Sequence, residues 1–203
     1  MTSGGTLKRR LDQLEASSLI ERSVPYGKAN KGHYLKVVDE YSLFYLTWIE
    51  PFKSSRAMSR GRNYWANCAK SPAFLSWRGY AFEAVCAKHV DAIIRALGLE
   101  STALTASGWR AGAKAKTRGA QIDLLIDRAD DAMTLCEMRY AQAPYRLDRR
   151  TIRELTERLE AFEAATGTRE QLLWALVTPH GLQPGLWSDD GEISSVALLD
   201  AFR

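Results

Sequence analysis

The chain has 203 residues, 46% of them hydrophobic and 26% charged, with a net charge of +4. That composition supports a buried core and excludes wholesale disorder, and no apolar run approaches the ~18 residues of a membrane-spanning helix. Three cysteines and three histidines are scattered without a CxxC pair, which points to buried free thiols in a reducing cytoplasm and away from a zinc site or disulfide framework. The N-terminus, MTSGGTLKRR, carries no apolar signal region. The charge is uneven. Residues 1–70 hold 12 Lys+Arg against 6 Asp+Glu, net +6, whereas residues 71–203 hold 16 against 18, net −2. A basic N-terminal third suits an anionic partner such as nucleic acid.

Taken in order, Thr6 to Leu19 carries Leu7, Leu11, Leu14 and Leu19 at helical spacing. Ser3-Gly4-Gly5 marks its start, and Lys8, Arg9 and Arg10 crowd its first turns. Leu19 to Val24 and Tyr34 to Val38 read as short strands around a basic turn, Pro25 to Gly32, with Lys28 and Lys31. A basic helix followed by a basic hairpin resembles the back half of a winged helix, truncated here to residues 1–38 because the two supporting helices have no counterpart. That resemblance implies a helix in a major groove and a wing on phosphates, or a docking module that touches no DNA. Residues 39–71 follow as an aromatic helix and linker. Asp39 to Phe52 brings Phe44, Tyr45 and Trp48 beside Leu43 and Leu46, with Pro51 at its end, and Lys53 to Lys70 is polar and basic.

A second domain, 72–203, begins near Pro72. Trp77 to Leu97 is predicted helical, with Phe82, Val85, Cys86, Val90, Ile93 and Leu97 on one stripe, Glu83 beside it and Gly98 at the stop. Ser107 to Gly112 is a strand containing Trp109, followed by a loop with Lys114, Lys116 and Arg118. Ala120 to Asp127 and Ala132 to Tyr140 alternate as two strands around the turn Arg128 to Asp131. Asp148 caps a helix running to Ala165, with Ile152, Leu155, Leu159 and Phe162 in register and Gly167 beyond it. Gln171 to Thr178 is a buried-strand run, and Ile193 to Phe202 closes the chain with a short strand and turn.

The hairpin at 120–140 carries the chemistry. Pairing Asp127 with Ala132 sets Asp123 opposite Cys136, whereas one extra loop residue or a bulge sets it opposite Glu137. Two opposed carboxylates repel unless something offsets them, and a divalent cation does so because hard cations prefer carboxylate oxygens. Arg139 follows Glu137 at two residues, so a salt-bridged cluster with Arg139 neutralising Glu137 or Asp123 is the alternative reading.

An Asp followed by Glu-x-Lys on the next strand resembles the core of the PD-(D/E)xK nuclease superfamily, here as Asp123 and Glu137-Met138-Arg139. The predicted order from residue 72, helix, three strands, helix, strand, is the αβββαβ order of the restriction-endonuclease-like core. The fold expected is therefore α/β, with that core behind a truncated winged helix and a linker helix. Over nearly the whole length the chain is similar to the C-terminal half of a prokaryotic AAA-type ATPase family. The resemblance rests on Ser3-Gly4-Gly5, Tyr41 to Leu46, Trp77 to Glu83, the hairpin, Leu173 to Gly181 and Leu198 to Phe202. No G-x-x-x-x-G-K-[ST] motif occurs, so ATP hydrolysis does not carry over.

The resemblance implies that Asp123 and Glu137 bind Mg²⁺, with Mn²⁺ as a substitute, and that Glu83 joins them from the first helix of the core. Arg139 would be the fourth catalytic position. Lysine is usual there, and arginine, which holds its proton far above neutral pH, is a poor proton acceptor. The implied function is a DNA-associated nuclease-like module, a Mg²⁺-dependent phosphodiesterase weakened at residue 139. The alternative is a catalytically degenerate module that binds DNA or docks on a partner AAA-type ATPase. Lys8, Arg9, Arg10, Lys28 and Lys31 are the candidate DNA contacts.

Overall fold

The computed structural model describes residues 4–28, 33–53, 64–112, 119–185 and 193–198. They form two compact units, one of Met1–Ser23 with Tyr34–Lys88, the other of Val24–His33 with His89–Arg203.

In the first unit, α1 (Gly4–Ala16) precedes an antiparallel hairpin of β1 (Ile20–Ser23) and β2 (Tyr34–Val37). Arg22 on β1 reaches back to Glu15 at 2.9 Å and Asp12 at 3.5 Å, which ties helix to strand. Asp39 then caps α2 (Glu40–Phe44), its carboxylate accepting the Ser42 N–H at 2.6 Å. The helix expected over Asp39–Phe52 is present as one uninterrupted helical run, in which α2, a π-helical turn (Tyr45–Ile49) and α3 (Glu50–Lys53) follow one another directly. Pro51 does not end the helix but lies inside α3. Its nitrogen has no hydrogen to donate, and widening the turn so that Glu50 N–H bonds to the Tyr45 carbonyl accommodates that loss just upstream.

The expected linker is also partly helical, as α4 (Tyr64–Cys68), while residues 54–63 lie outside the described residues. Next, α5 (Pro72–Lys88) begins at Pro72 rather than Trp77. Proline suits the first helical position, and the Ser71 hydroxyl accepts the Phe74 N–H at 3.2 Å. Aromatic rings fill the space between these helices. Phe44 stacks on Trp65 at 5.4 Å and meets Trp77 at 6.0 Å, while Trp48 meets Phe74 at 5.3 Å and Trp77 at 5.9 Å. Lys88 pairs with Glu40 at 2.9 Å, joining the ends of α5 and α2.

The second unit opens with α6 (Val90–Ala96). The helix expected to run unbroken from Trp77 to Leu97 is interrupted at His89, which leaves helical geometry at φ −118° and ψ 35°. Gly98, at φ +69°, provides the left-handed stop that follows α6. Five strands form one mixed sheet in the order β3 (Ala103–Ala111), β4 (Ala120–Arg128), β5 (Ala132–Met138), β6 (Gln171–Thr178), β7 (Ile193–Ala197). The first three pair antiparallel and the last three parallel. Parallel neighbours need a crossover, and α7 (Arg149–Thr166) provides it between β5 and β6. Asp148 caps α7 by accepting the Thr151 N–H at 2.7 Å, and Gly167 at φ +66° ends it.

The core of this unit joins Ile122, Leu125, Met133, Leu135, Trp174 and Leu176 of the sheet to Leu155 and Phe162 of α7. Phe162 is fully buried and meets the edge of Trp109 at 5.1 Å. Part of the basic turn read as a wing also belongs here. Tyr26 donates its N–H to the Gly108 carbonyl at 2.8 Å and sets its ring 5.9 Å from Phe162. Burial, with Asp127 and Glu170 nearby, pushes the Tyr26 phenol up. The three cysteines, Cys68, Cys86 and Cys136, are buried thiols. Among the described residues no helix is long and apolar enough to cross a membrane.

Candidate functional site

Register decides where the two hairpin carboxylates lie. Asp127 pairs with Met133 and Leu124 with Cys136, so one further step along the ladder sets Asp123 across from Glu137. The extra loop residue that this needs is present, with Asp131 in left-handed backbone at φ +57°. On its other edge β4 is bulged. Ser107 pairs with Leu125 and Trp109 with Ile122, which leaves Asp123 and Leu124 against the single residue Gly108. Ile122 and Leu125 consequently enter the same core although they are three residues apart. A bulge of this kind re-aims a side chain. Asp123 Oδ2 accepts the Met138 N–H at 3.1 Å, taking a place that a strand carbonyl otherwise fills. Asp123 Oδ1 accepts from Gln121 at 3.1 Å, and Gln121 in turn accepts from Arg110 at 2.6 Å.

Glu137, on fully buried β5, is only 3% exposed. A buried carboxylate needs cationic partners and hydrogen bonds to offset its desolvation. Arg158 of α7 donates to Glu137 Oε2. Arg139 Nε lies 2.8 Å from Oε1, close enough for strong attraction but out of line for a hydrogen bond. Arg139 also reaches Glu154 at 3.6 Å, and Glu154 accepts from Arg150 at 2.9 Å. The Arg150 hydrogen bond, then the charges of Arg150, Arg139 and Arg158, hold the Glu154 carboxyl below the usual range.

Arg158 was not among the residues expected at this site. Its signal is nonetheless present in the sequence, since Arg158 stands three residues after Leu155 and four before Phe162, on the inner stripe of α7. A cation at that position reaches either water or an anion beside the core, and here it reaches Glu137.

The other candidates lie on several elements. Glu83 sits partly buried on α5 of the first unit, whereas Asp123, Glu137 and Arg139 belong to the second. Lys8, Arg9 and Arg10 are exposed on α1, and Lys28 is exposed in the turn after β1. Lys31, Lys114, Lys116 and Arg118 lie outside the described residues, as do Ser3 and residues 199–203. Among the described residues no group of three His, Cys, Asp or Glu side chains is placed to hold a metal ion. The pair Asp123 and Glu137 does not fit a divalent cation as it stands. Both oxygens of Asp123 accept hydrogen bonds, and each oxygen of Glu137 faces a guanidinium. Comparison with family models, curated proteins and solved structures finds no match.

Proposed function

We propose that this chain is a nuclease-like, DNA-associated module that binds DNA without hydrolysing it, its second unit being a restriction-endonuclease-like core. Three features support the fold: the helix–three strands–helix–strand order, an Asp and a Glu on adjoining strands, and the resemblance to the PD-(D/E)xK superfamily. One observation carries the loss of cleavage: Glu137 is buried between Arg139 and Arg158. A metal-dependent phosphodiesterase needs carboxylate oxygens open to the cation that generates hydroxide and stabilises the phosphate. Here Mg²⁺ or Mn²⁺ would have to displace two guanidiniums and the Met138 amide. Arg139 cannot take over as a base. Exposed Lys8, Arg9, Arg10 and Lys28 provide phosphate contacts, which position DNA without reading its sequence.

The test pairs cleavage with binding. Plasmid nicking should be absent in millimolar Mg²⁺ or Mn²⁺. Fluorescence anisotropy should show metal-independent duplex binding that weakens steeply with salt. Nicking that disappears in Asp123→Ala would overturn the reading, as would an absence of duplex binding at low salt.

A further inference from the structure

We infer that a groove in the second unit binds an organic cation, a single ammonium group on a short apolar stem, with Glu170 as its anchor. The proposal does not rest on the nuclease-like reading, since none of Asp123, Glu137, Arg139 and Arg158 lines this groove. The groove has a volume of about 1240 Å³ and lies among the C-terminal half of α7, the end of β3, the turn at Tyr26 and the segment leading into β6. That is room for a small molecule. Ala161, Ala164 and Ala165 stand three and four residues apart on one face of α7 and line it. Each ends in a methyl group, so the space beside the helix stays open. Tyr26 lines it too, its ring 5.9 Å from that of Phe162 and so steadied by the core.

Glu170 selects the occupant. It lines the groove close to Asp131, whose carbonyl accepts the Gln171 N–H at 3.0 Å. Glu170 Oε2 is sealed from water and accepts no hydrogen bond. Among the described residues Glu170, Asp131 and the nearby Asp127 have no cationic partner, and Arg128, beside Asp127 in sequence, is paired with Asp130 instead. Burial and then the charges of Asp127 and Asp131 push the Glu170 carboxyl above its ordinary value. A carboxylate withdrawn from water needs a cation or a hydrogen-bond donor, and within the described chain this one has neither. A perturbed carboxyl of this kind in a cleft marks a candidate binding site. With Oε2 sealed, an incoming ammonium meets Glu170 through the other oxygen, its stem lying along the alanines and the Tyr26 ring offering a π face. Lys28, Arg110 and Arg169 also line the groove, but none meets Glu170 or Asp131, and Arg110 donates to Gln121 at 2.6 Å. These three cations disfavour a second positive charge on the ligand, which points to a monoamine and away from a polyamine.

The experiment titrates the isotope-labelled full chain with pentylammonium chloride, with pentanol as the neutral analogue and Nα-acetyl-lysine methylamide as the peptide form. Amide shifts at Ala161, Ala164, Ala165 and Glu170 report on the groove by nuclear magnetic resonance. Expected are saturable shifts at these amides in roughly the millimolar range, with pentanol bound about tenfold more weakly because it lacks the charge-assisted bond. Glu170→Gln, which keeps the shape of the side chain, should weaken pentylammonium binding by about the same tenfold. Ala165→Leu changes no charge and should weaken it by filling the seat. Thermal melts check that both variants fold. Saturation by pentylammonium alone supports a free amine as the ligand, and saturation by the blocked lysine as well supports a peptide side chain. Equal binding of pentanol and pentylammonium would reduce the interaction to apolar burial and overturn the proposal. So would unchanged binding in Glu170→Gln or Ala165→Leu, or the absence of shifts at these four amides.

Discussion

Arg158 and Asp123 carry the testable consequences at the scale of single residues. Removing Arg158 takes one guanidinium partner from the buried Glu137 carboxylate, so Arg158→Ala should lower the unfolding free energy by about 3–5 kcal/mol, read from urea titrations. The double change Glu137→Gln with Arg158→Ala should recover part of that loss, because no uncompensated charge remains. Asp123 separates structural from catalytic roles. Asp123→Asn keeps an oxygen for the Met138 N–H and should unfold close to wild type. Asp123→Ala orphans that buried amide and should cost about 1–3 kcal/mol. A residue serving only a metal would show no such difference.

Glu170 gives a pH dependence whose sign can be worked out. Burial, then the charges of Asp127 and Asp131, pushes its carboxyl above the ordinary value of 4.5. The folded state therefore holds this proton more tightly than the unfolded state. The stability linked to it is complete below about 4.5 and is lost as pH rises through the folded value. Glu170→Gln removes that dependence and should raise the melting temperature relative to wild type at pH 7, with the gain shrinking as the pH is lowered toward 4.

At the scale of elements, α7 is the piece whose ends are set by identifiable single residues. Asp148→Ala should cost about 1 kcal/mol because the Thr151 N–H then has no cap. Gly167→Ala should cost a similar ~1 kcal/mol because its φ of +66° favours glycine over alanine. Both are checked by thermal melts, with far-ultraviolet dichroism following the helix. These ends were legible in the sequence because capping chemistry is local, and the bounds of β6 were legible because a continuous apolar run has sharp edges. The π-helical turn, the interruption at His89 and the bulge at Asp123–Leu124 were not legible. The bulge depends on what the backbone meets on a neighbouring strand, and alternation along one strand carries no record of Gly108 on the next. The bulge had visible consequences all the same. It lets Ile122 and Leu125 share a core and aims Asp123 at the end of a ladder.

At the scale of the whole molecule, the mixed α/β architecture followed from patterning, while the state of the candidate site did not. The sequence set Asp123 and Glu137 on adjoining strands and raised a salt-bridged cluster as one outcome. It left α7 unconnected to that cluster, because Arg158 lies 21 residues from Glu137 and only the crossover brings them together. DNA association is tested at this scale too. Replacing Lys8, Arg9 and Arg10 with alanine should flatten the plot of log affinity against log salt by about 0.9 for each phosphate no longer neutralised. An unchanged slope would move the phosphate-binding surface off α1.

The threading of the chain has one more consequence. Tyr26, which packs against Phe162, is encoded before β2, more than sixty residues ahead of α6, so neither compact unit is a continuous stretch of sequence. No single proteolytic cut separates the two intact, and a fragment expressed from His89 onward lacks one ring of its own core. Exchange of one contiguous segment would likewise divide both units.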